Sequence, residues 1–206
     1  MKIINNGIDF EKFGNTKNNS MQYNFNKDNI VVGHIARWHK IKGHKFFLEM
    51  ASKLMKTNRK FTFLMIGTGI NWSNDELVSL LKKYELIDYV ELLGEQSKIN
   101  KLLNRMDIYI SSSINESFSL TLVEAIACRV PSISSDTGIA REALSSDLCI
   151  VDVGNSVQLT KAVNLLLSMP SSKILKIVDE SYRKSQVRFN EKAMFDNYYN
   201  LYQSIL

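Results

Sequence analysis

Asn115-Glu116-Ser117-Phe118-Ser119-Leu120-Thr121-Leu122-Val123-Glu124-Ala125-Ile126-Ala127 is the stretch whose reading decides the fold. A strand-like run, Ile108-Tyr109-Ile110-Ser111, enters it, and a helix-like run from Leu120 to Cys128 leaves it. Glu116 and Glu124 therefore bracket a strand-to-helix turn, the place where open α/β sheets bind ligands. A helix beginning near Ser119 presents unpaired backbone N–H groups and the positive end of its dipole, which suits a phosphate. Ionised carboxylates on either side accept strong hydrogen bonds from sugar hydroxyls. A ligand with phosphates between two sets of hydroxyls has the shape of a nucleotide-sugar.

On either side of this turn, short apolar runs alternate with amphipathic helical runs, the signature of βαβ units and a parallel sheet covered on both faces. Strands are expected at Ile30 to Ala36, Phe61 to Gly67, Val90 to Leu93, Ile108 to Ser112, Val130 to Ser134 and Leu148 to Val151. Six such strands make a doubly wound, Rossmann-like α/β sheet. Helices are expected at Gly43 to Thr57, where Phe47, Met50, Ala51 and Leu54 share a face, at Asp75 to Lys83, and at Lys98 to Asn104. The carboxy-terminal end is helical: Leu159, Ala162, Val163 and Leu166 form one apolar face, and Leu175, Val178 and Tyr182 another. The last run, Glu191 to Leu206, carries Phe195, Tyr198, Tyr202 and Ile205, and an aromatic stripe of this kind is expected in a core. Residues 1–29 read as an entry segment, 30–188 as the Rossmann-like core and 189–206 as a terminal helix. Within the entry segment, Asn6-Gly7 signals a turn with no helical period through Phe13, and Gly14 to Asn29 reads as an Asn- and Lys-rich loop.

Length and composition fit one folded domain: 206 residues, 45% hydrophobic and 23% charged. The 26 Lys and Arg against 21 Asp and Glu give a net charge of +5, which favours phosphorylated ligands or an anionic surface but is too modest, without an aromatic-basic platform, for nucleic acid. No apolar run approaches the ~18 residues of a membrane span and no signal-peptide pattern opens the chain, so the cytoplasm is the expected location. Cys128 and Cys149 read as reduced core residues. His34, His39 and His44 recur every five residues, which matches neither one helix face nor a zinc pattern, and no metal is expected.

Arg37 leaves the carboxyl end of the first strand and Lys42-Gly43 opens the next helix, so two cations reach the ligand edge of the sheet. Fixed positive charge there stabilises a diphosphate and, more so, the charge that develops as it leaves. Ser134-Ser135-Asp136-Thr137-Gly138-Ile139-Ala140-Arg141-Glu142 also ends a strand and precedes a helix; it either lines the same crevice, with Thr137 and Gly138 admitting a ligand, or is an ordinary turn. Gly67-Thr68-Gly69 lacks the third glycine of a dinucleotide fingerprint and does not indicate NAD.

With these elements assembled, the chain resembles the carboxy-terminal domain of glycosyltransferase family 4, retaining enzymes of GT-B fold. The resemblance rests on Asn5-Asn6-Gly7-Ile8-Asp9 with Phe13 as the linker entering that domain, on Gly33 through Arg37 with Lys42-Gly43, and on Glu116 to Glu124 as the E-x7-E motif with Phe118, Leu120, Leu122, Val123 and Ala125 around it. It implies one half of a GT-B enzyme. Glu116, Arg37 and Lys42 would be catalytic, with Arg37 and Lys42 on the diphosphate and Glu116 on the transferred hexose. Glu124 would take the ribose, and Ser117, Phe118, Ser119, Leu120 and Gly138 would complete the donor site through backbone N–H groups and close approach. Ser119 stands where the family commonly has glycine, and Gly138-Ile139 where it commonly has Gly-Gly.

The implied function is hexosyl transfer from a nucleotide-diphosphate sugar, a UDP-sugar favoured, to a glycan or lipid acceptor in polysaccharide or glycolipid biosynthesis, with no cofactor and no metal. The amino-terminal acceptor domain is expected to be missing from this chain and the isolated domain to be inactive; the aromatic last helix resembles the family segment that packs back on that domain. Peripheral contact with the inner membrane face would come through it. Two other readings stand beside this one: a non-catalytic nucleotide-sugar-binding module, and a nucleotide-sugar epimerase of the same architecture.

Overall fold

A computed structural model describes residues 3–14, 23, 25 and 28–205. Six parallel strands form one sheet: β1 (Ile30–Ile35), β2 (Phe61–Ile66), β3 (Val90–Leu92), β4 (Ile108–Ser111), β5 (Ser132–Ser135) and β6 (Ile150–Val151), in the order β3-β2-β1-β4-β5-β6. The chain winds outward in one direction from β1 to β3 and then in the other from β4 to β6. The doubly wound sheet is thus as expected, and its switch point lies between β1 and β4.

Helices cover both faces: α1 (Phe10–Gly14), α2 (His44–Leu54), α3 (Asp75–Lys83), α4 (Ile99–Leu103), α5 (Leu120–Ala127), α6 (Ala140–Ala143), α7 (Ser156–Ser168), α8 (Ser171–Phe189) and α9 (Glu191–Gln203). Local chemistry sets several of these boundaries. Asn74 caps α3 by accepting from the Leu77 N–H at 3.1 Å, with Asp75 and Glu76 in its first turn and Lys82 and Lys83 in its last, the charge order that opposes the helix dipole. The Asn155 and Asn190 side chains cap α7 and α9 in the same way, accepting from Gln158 at 3.0 Å and Ala193 at 2.7 Å. The strands of the centre are buried on both faces: Val32 and Ile35 of β1 and Phe61, Phe63, Leu64 and Met65 of β2 belong to one core together with Phe47, Leu48 and Ala51 of α2.

Four expectations are corrected. Phe10–Gly14 is helical, although so short a segment shows no period; Asp9 Oδ1 accepts from the N–H groups of Glu11 and Lys12, and Phe10 is buried edge-on to Tyr182 at 5.6 Å. The fifth strand begins at Ser132 rather than Val130, because the Val130 N–H turns back to the Ala125 carbonyl at 3.0 Å with Arg129 at φ 55°, a Schellman closure of α5. The aromatic stripe of the last helix is not core: Phe195 is 66% exposed, Tyr202 63% and Ile205 71%, and no residue of α9 is buried. Ile174 rather than Leu175 is the buried member of its α8 face. The expected loop from Gly14 to Asn29 lies mostly outside the described residues.

The entry segment is anchored at the junction of α8 and α9. Ile8 donates to the Phe189 carbonyl at 2.8 Å and accepts from the Glu191 N–H at 3.0 Å, forming an isolated parallel bridge with Asn190. Gly7 permits this approach, since a Cβ there would lie 2.5 Å from the Asn190 carbonyl oxygen. The described residues contain no helix long and apolar enough to cross a membrane.

The tightest backbone approach lies beside the switch point. Gly43 has φ 67°, and a Cβ at that position would lie 1.8 Å from the Ser112 carbonyl oxygen. Gly43→Ala is expected to cost about 3 kcal/mol or more, combining left-handed strain with a backbone displacement. Urea unfolding of the two proteins measures it; a loss under about 1 kcal/mol would show that the β4 end yields freely.

Candidate functional site

The switch point opens into a cleft. One part, about 370 Å³, is lined by Asn6, Ile35, Ala36, Arg37, Lys42, and Glu116 through Thr121. An adjoining part, about 330 Å³, is lined by Arg37, Ile41, Lys42, Asn115, Glu116 and Ser117. Arg37, Lys42, Glu116 and Ser117 border both, so the two parts are one continuous groove along the carboxyl ends of β1 and β4.

Two loops make its walls. After β1 the chain runs through Arg37 to a 3₁₀ turn, Lys40–Lys42, closed by Gly43 before α2. After β4 it runs through Ser112 and Ser113 to Glu116 and then to α5. The Ile114 N–H donates to the Ile41 carbonyl at 2.7 Å, and Ser112 Oγ donates to the Gly43 carbonyl at 3.0 Å, so the walls are fastened to each other. Across them Lys42 Nζ lies 2.6 Å from Glu116 Oε1, with side-chain exposures of 23% and 13%. The same oxygen accepts from Ser113 Oγ at 2.8 Å. Arg37 is exposed on the same edge and enters no ion pair among the described residues, which leaves its guanidinium available to a bound anion.

The floor is the amino end of α5. Ser119 occupies its N-cap position at φ 99°, with no side-chain capping bond, so the first-turn N–H groups of α5 are directed at the cleft without an internal acceptor. The expected departure from glycine is therefore a serine held in a glycine conformation. Below the turn, Tyr109 donates to Thr121 Oγ1 at 2.8 Å and is buried. Burial raises the Tyr109 hydroxyl well above its ordinary value, which keeps it a neutral donor.

Arg37, Lys42, Glu116, Ser117, Phe118, Ser119 and Leu120 are thus brought together. Glu124 and Gly138 are not among the residues lining the cleft. Gly138 lies behind the turn: a Cβ there would fall 2.8 Å from the Phe118 carbonyl oxygen and 3.1 Å from Glu116 Cβ, so its small size lets the loop after β5 support the turn before α5. Glu124 lies just over one turn along α5, half-buried. Burial raises its carboxyl above the ordinary value, offset in part by the charge of Lys12 from α1. Sequence reasoning missed Ser113 and Asn6. Serine three residues before a glutamate carries no periodic signal, and Asn6 reaches the cleft only through the folding back of the entry segment.

Beneath the Lys42 and Glu116 pair lie two buried histidines. His34 Nδ1–H donates to the Ile110 carbonyl at 2.9 Å, its ring stacks on Phe47, and it meets His44 edge-on at 4.8 Å. Burial pushes His34 down to about 4 and His44 to about 3, the latter also through its neighbour His34. Both are neutral packing groups at pH 7 rather than ligands.

A family model described as Glycosyl transferases group 1 matches residues 15–189. The chain belongs to the glycosyl transferases group 1 family. Among relatives, EpsF of Bacillus subtilis (strain 168), named a putative glycosyltransferase, is 29% identical over 139 residues, 66% of this chain and 36% of its own length. WclY of Escherichia coli, named an O-antigen biosynthesis glycosyltransferase, is 25% identical over 206 residues, 98% of this chain and 55% of its own. In fold, the chain is similar to Anabaena HepE crystallised with UDP-glucose, with a TM-score of 0.84 at 21% identity, covering 98% of this chain and 57% of that one. It is also similar to the carboxy-terminal domain of LpcC from Francisella tularensis, with a TM-score of 0.71 at 24% identity, covering 90% of this chain and 100% of that one. The sheet is thus a domain of GT-B type, and this group 1 chain spans about half the length of the relatives it matches.

Two outcomes follow from the geometry. Because both histidines bind protons more weakly folded than unfolded, stability is complete above pH 6.5 and falls as pH drops towards about 4, with a slope approaching about 1.4 kcal/mol per pH unit for each. Melting temperatures between pH 7.5 and 5 should show it, and a His34→Gln, His44→Gln double variant should lose most of the slope. Separately, Ser119→Gly should raise stability by about 1 kcal/mol, since relief of left-handed strain exceeds the added chain entropy. Urea unfolding decides; a loss on substitution would mean that the serine side chain makes up for its backbone.

Proposed function

We propose that this chain is the donor-binding half of a retaining hexosyltransferase, taking a nucleotide-diphosphate sugar, a UDP-sugar favoured, and passing the hexose to a glycan or lipid acceptor in polysaccharide or glycolipid assembly. The observation that carries it is one cleft in which Arg37, Lys42, Glu116 and the amino end of α5 converge at the switch point of the sheet. The relatives named for O-antigen biosynthesis, and the similar fold crystallised with UDP-glucose, support the choice of chemistry.

In this reading the diphosphate lies over the first-turn N–H groups of α5, between Arg37 and Lys42. As the bond from the sugar to the diphosphate breaks, its electron pair moves onto the leaving oxygen, and the two cations stabilise the growing charge in a partly dehydrated cleft. Glu116 accepts hydroxyls of the hexose and fixes its orientation. The acceptor hydroxyl attacks the face the diphosphate leaves and gives its proton to the departing phosphate oxygen, which preserves configuration and releases the nucleoside diphosphate. Glu124 takes the ribose hydroxyls; this assignment rests on the E-x7-E spacing rather than on the walls of the cleft.

The acceptor would lie on a second, amino-terminal domain. Relatives of about twice the length support that arrangement, as does the unburied face of α9, where Phe195, Tyr198, Tyr199 and Tyr202 are all exposed. Ile8 pairs with Asn190 at the base of this helix, so the entry segment and the exposed face lie together.

Thermal melting with UDP and GDP, each free and as the hexose conjugate, tests the donor site. One base should raise the melting temperature of the chain. Arg37→Ala or Lys42→Ala should weaken that nucleotide at least tenfold, as expected when a charge-assisted bond to phosphate is lost. Glu124→Ala should weaken the nucleotide but not inorganic pyrophosphate. If no nucleotide protects the wild-type protein, the assignment is wrong.

A further inference from the structure

Two groups bind the same carboxylate oxygen. Lys42 Nζ lies 2.6 Å from Glu116 Oε1, and Ser113 Oγ donates to it at 2.8 Å. These partners cannot have the same fate when a diphosphate arrives. Lys42 lines both parts of the cleft, and its three ammonium protons can turn to phosphate oxygens of higher charge. Ser113 is 2% exposed, lines neither part and cannot follow. A half-buried carboxylate that lost its counterion and had no second donor would swing after the lysine or take up water.

We infer that Ser113 is a positioning residue: it holds Glu116 in place while the diphosphate of the donor draws Lys42 away, so that the freed carboxylate meets the hexose hydroxyls already oriented. Before a donor binds, the ion pair neutralises Glu116 and keeps the empty cleft from presenting a bare carboxylate to an anion. After it binds, the lysine serves the phosphates and the serine alone fixes the glutamate. Recognition of sugar is thereby coupled to recognition of diphosphate. The neighbouring Ser112 does the corresponding task for the opposite wall, since its Oγ donates to the Gly43 carbonyl at 3.0 Å. Adjacent serines at the end of β4 thus hold the backbone of one wall and the carboxylate of the other. The inference rests on the donor-site reading above, and it adds a residue to it.

The readout is the ratio of two affinities, that of a nucleoside diphosphate and that of the same nucleotide carrying its hexose. UDP against UDP-glucose or UDP-N-acetylglucosamine, and GDP against GDP-mannose, are titrated calorimetrically into the chain, and the tightest conjugate is carried forward. Wild-type protein should bind that conjugate more tightly than the bare diphosphate. Ser113→Ala and Ser113→Cys should lose about tenfold of the advantage, the worth of a hydrogen bond to a charged group, while the bare diphosphate binds as before. Ser113→Thr, which keeps the hydroxyl, should restore it.

A merely structural role would weaken conjugate and bare diphosphate together in Ser113→Ala and Ser113→Cys, and that result overturns the inference. So does a wild-type ratio in those variants, or no advantage for any conjugate in wild-type protein. If wild-type protein binds neither UDP, GDP nor inorganic pyrophosphate, the donor-site reading fails and this inference fails with it. Binding of the diphosphates with an unchanged ratio refutes the role of Ser113 alone.

Discussion

The distance between two loops governs this domain. The loop after β1 brings Arg37 and Lys42, the loop after β4 brings Glu116, and neither is of use unless the other stands at a fixed separation. The bond from Ile114 to the Ile41 carbonyl, the bond from Ser112 to the Gly43 carbonyl, and the absence of a side chain at Gly43 set that separation together. Everything in the cleft follows from it. An ion pair of 2.6 Å forms across a gap of this kind only because the backbones beneath are already held.

Electrostatics follows the same economy. A half-buried ion pair contributes little net stability, because dehydration of both charges offsets their attraction. The arrangement makes better sense as storage of two charged groups close to where a ligand would need them. Beneath the pair, the histidines remain neutral because burial opposes their protonation, and a third positive charge is kept out of the layer under Lys42. The cations that meet an incoming anion are then those on the surface of the cleft, where dehydration accompanies binding rather than folding.

The architecture was legible in the sequence because its signals are local. Alternation of apolar runs and helical periods marks a parallel sheet, and Glu116 with Glu124 marks the turn at its switch point. What escaped reading depends on contacts between distant segments. Val130 reads as strand but serves as the cap of α5, a choice made by the Ala125 carbonyl and the backbone of Arg129. The stripe of α9 reads as core, since periodicity defines an apolar face without saying what covers it, and none of the described residues does. Ser113 was invisible for a related reason: a serine acquires meaning only from the partner that its hydroxyl reaches. Glu124 was legible as half of a spacing, yet a spacing of eight that is half loop and half helix does not determine which side of a cleft a carboxylate faces.

Helix α5 joins these strands of argument, because both its ends depart from ordinary helix chemistry. Each is flanked by a residue other than glycine in left-handed backbone, Ser119 at φ 99° before it and Arg129 at φ 55° after it. The far end is over-determined: the Arg129 guanidinium pairs with the Asp179 carboxylate and lies 4.0 Å over the Tyr182 ring, and its carbonyl accepts from the Tyr23 hydroxyl at 2.8 Å. The near end is held by other means: Thr121 accepts from the buried Tyr109 hydroxyl at 2.8 Å, Phe118 packs edge-on against Phe189 at 5.3 Å and Gly138 stands behind the turn, while Ser119 itself makes no capping bond. Strain persists where the surroundings compel it. A helix of eight residues fixed at both ends has little freedom to relax, and so the contacts of Arg129 on α8 and those of Phe118 and Thr121 together hold the Ser119 turn, with its unpaired N–H groups, open to the cleft.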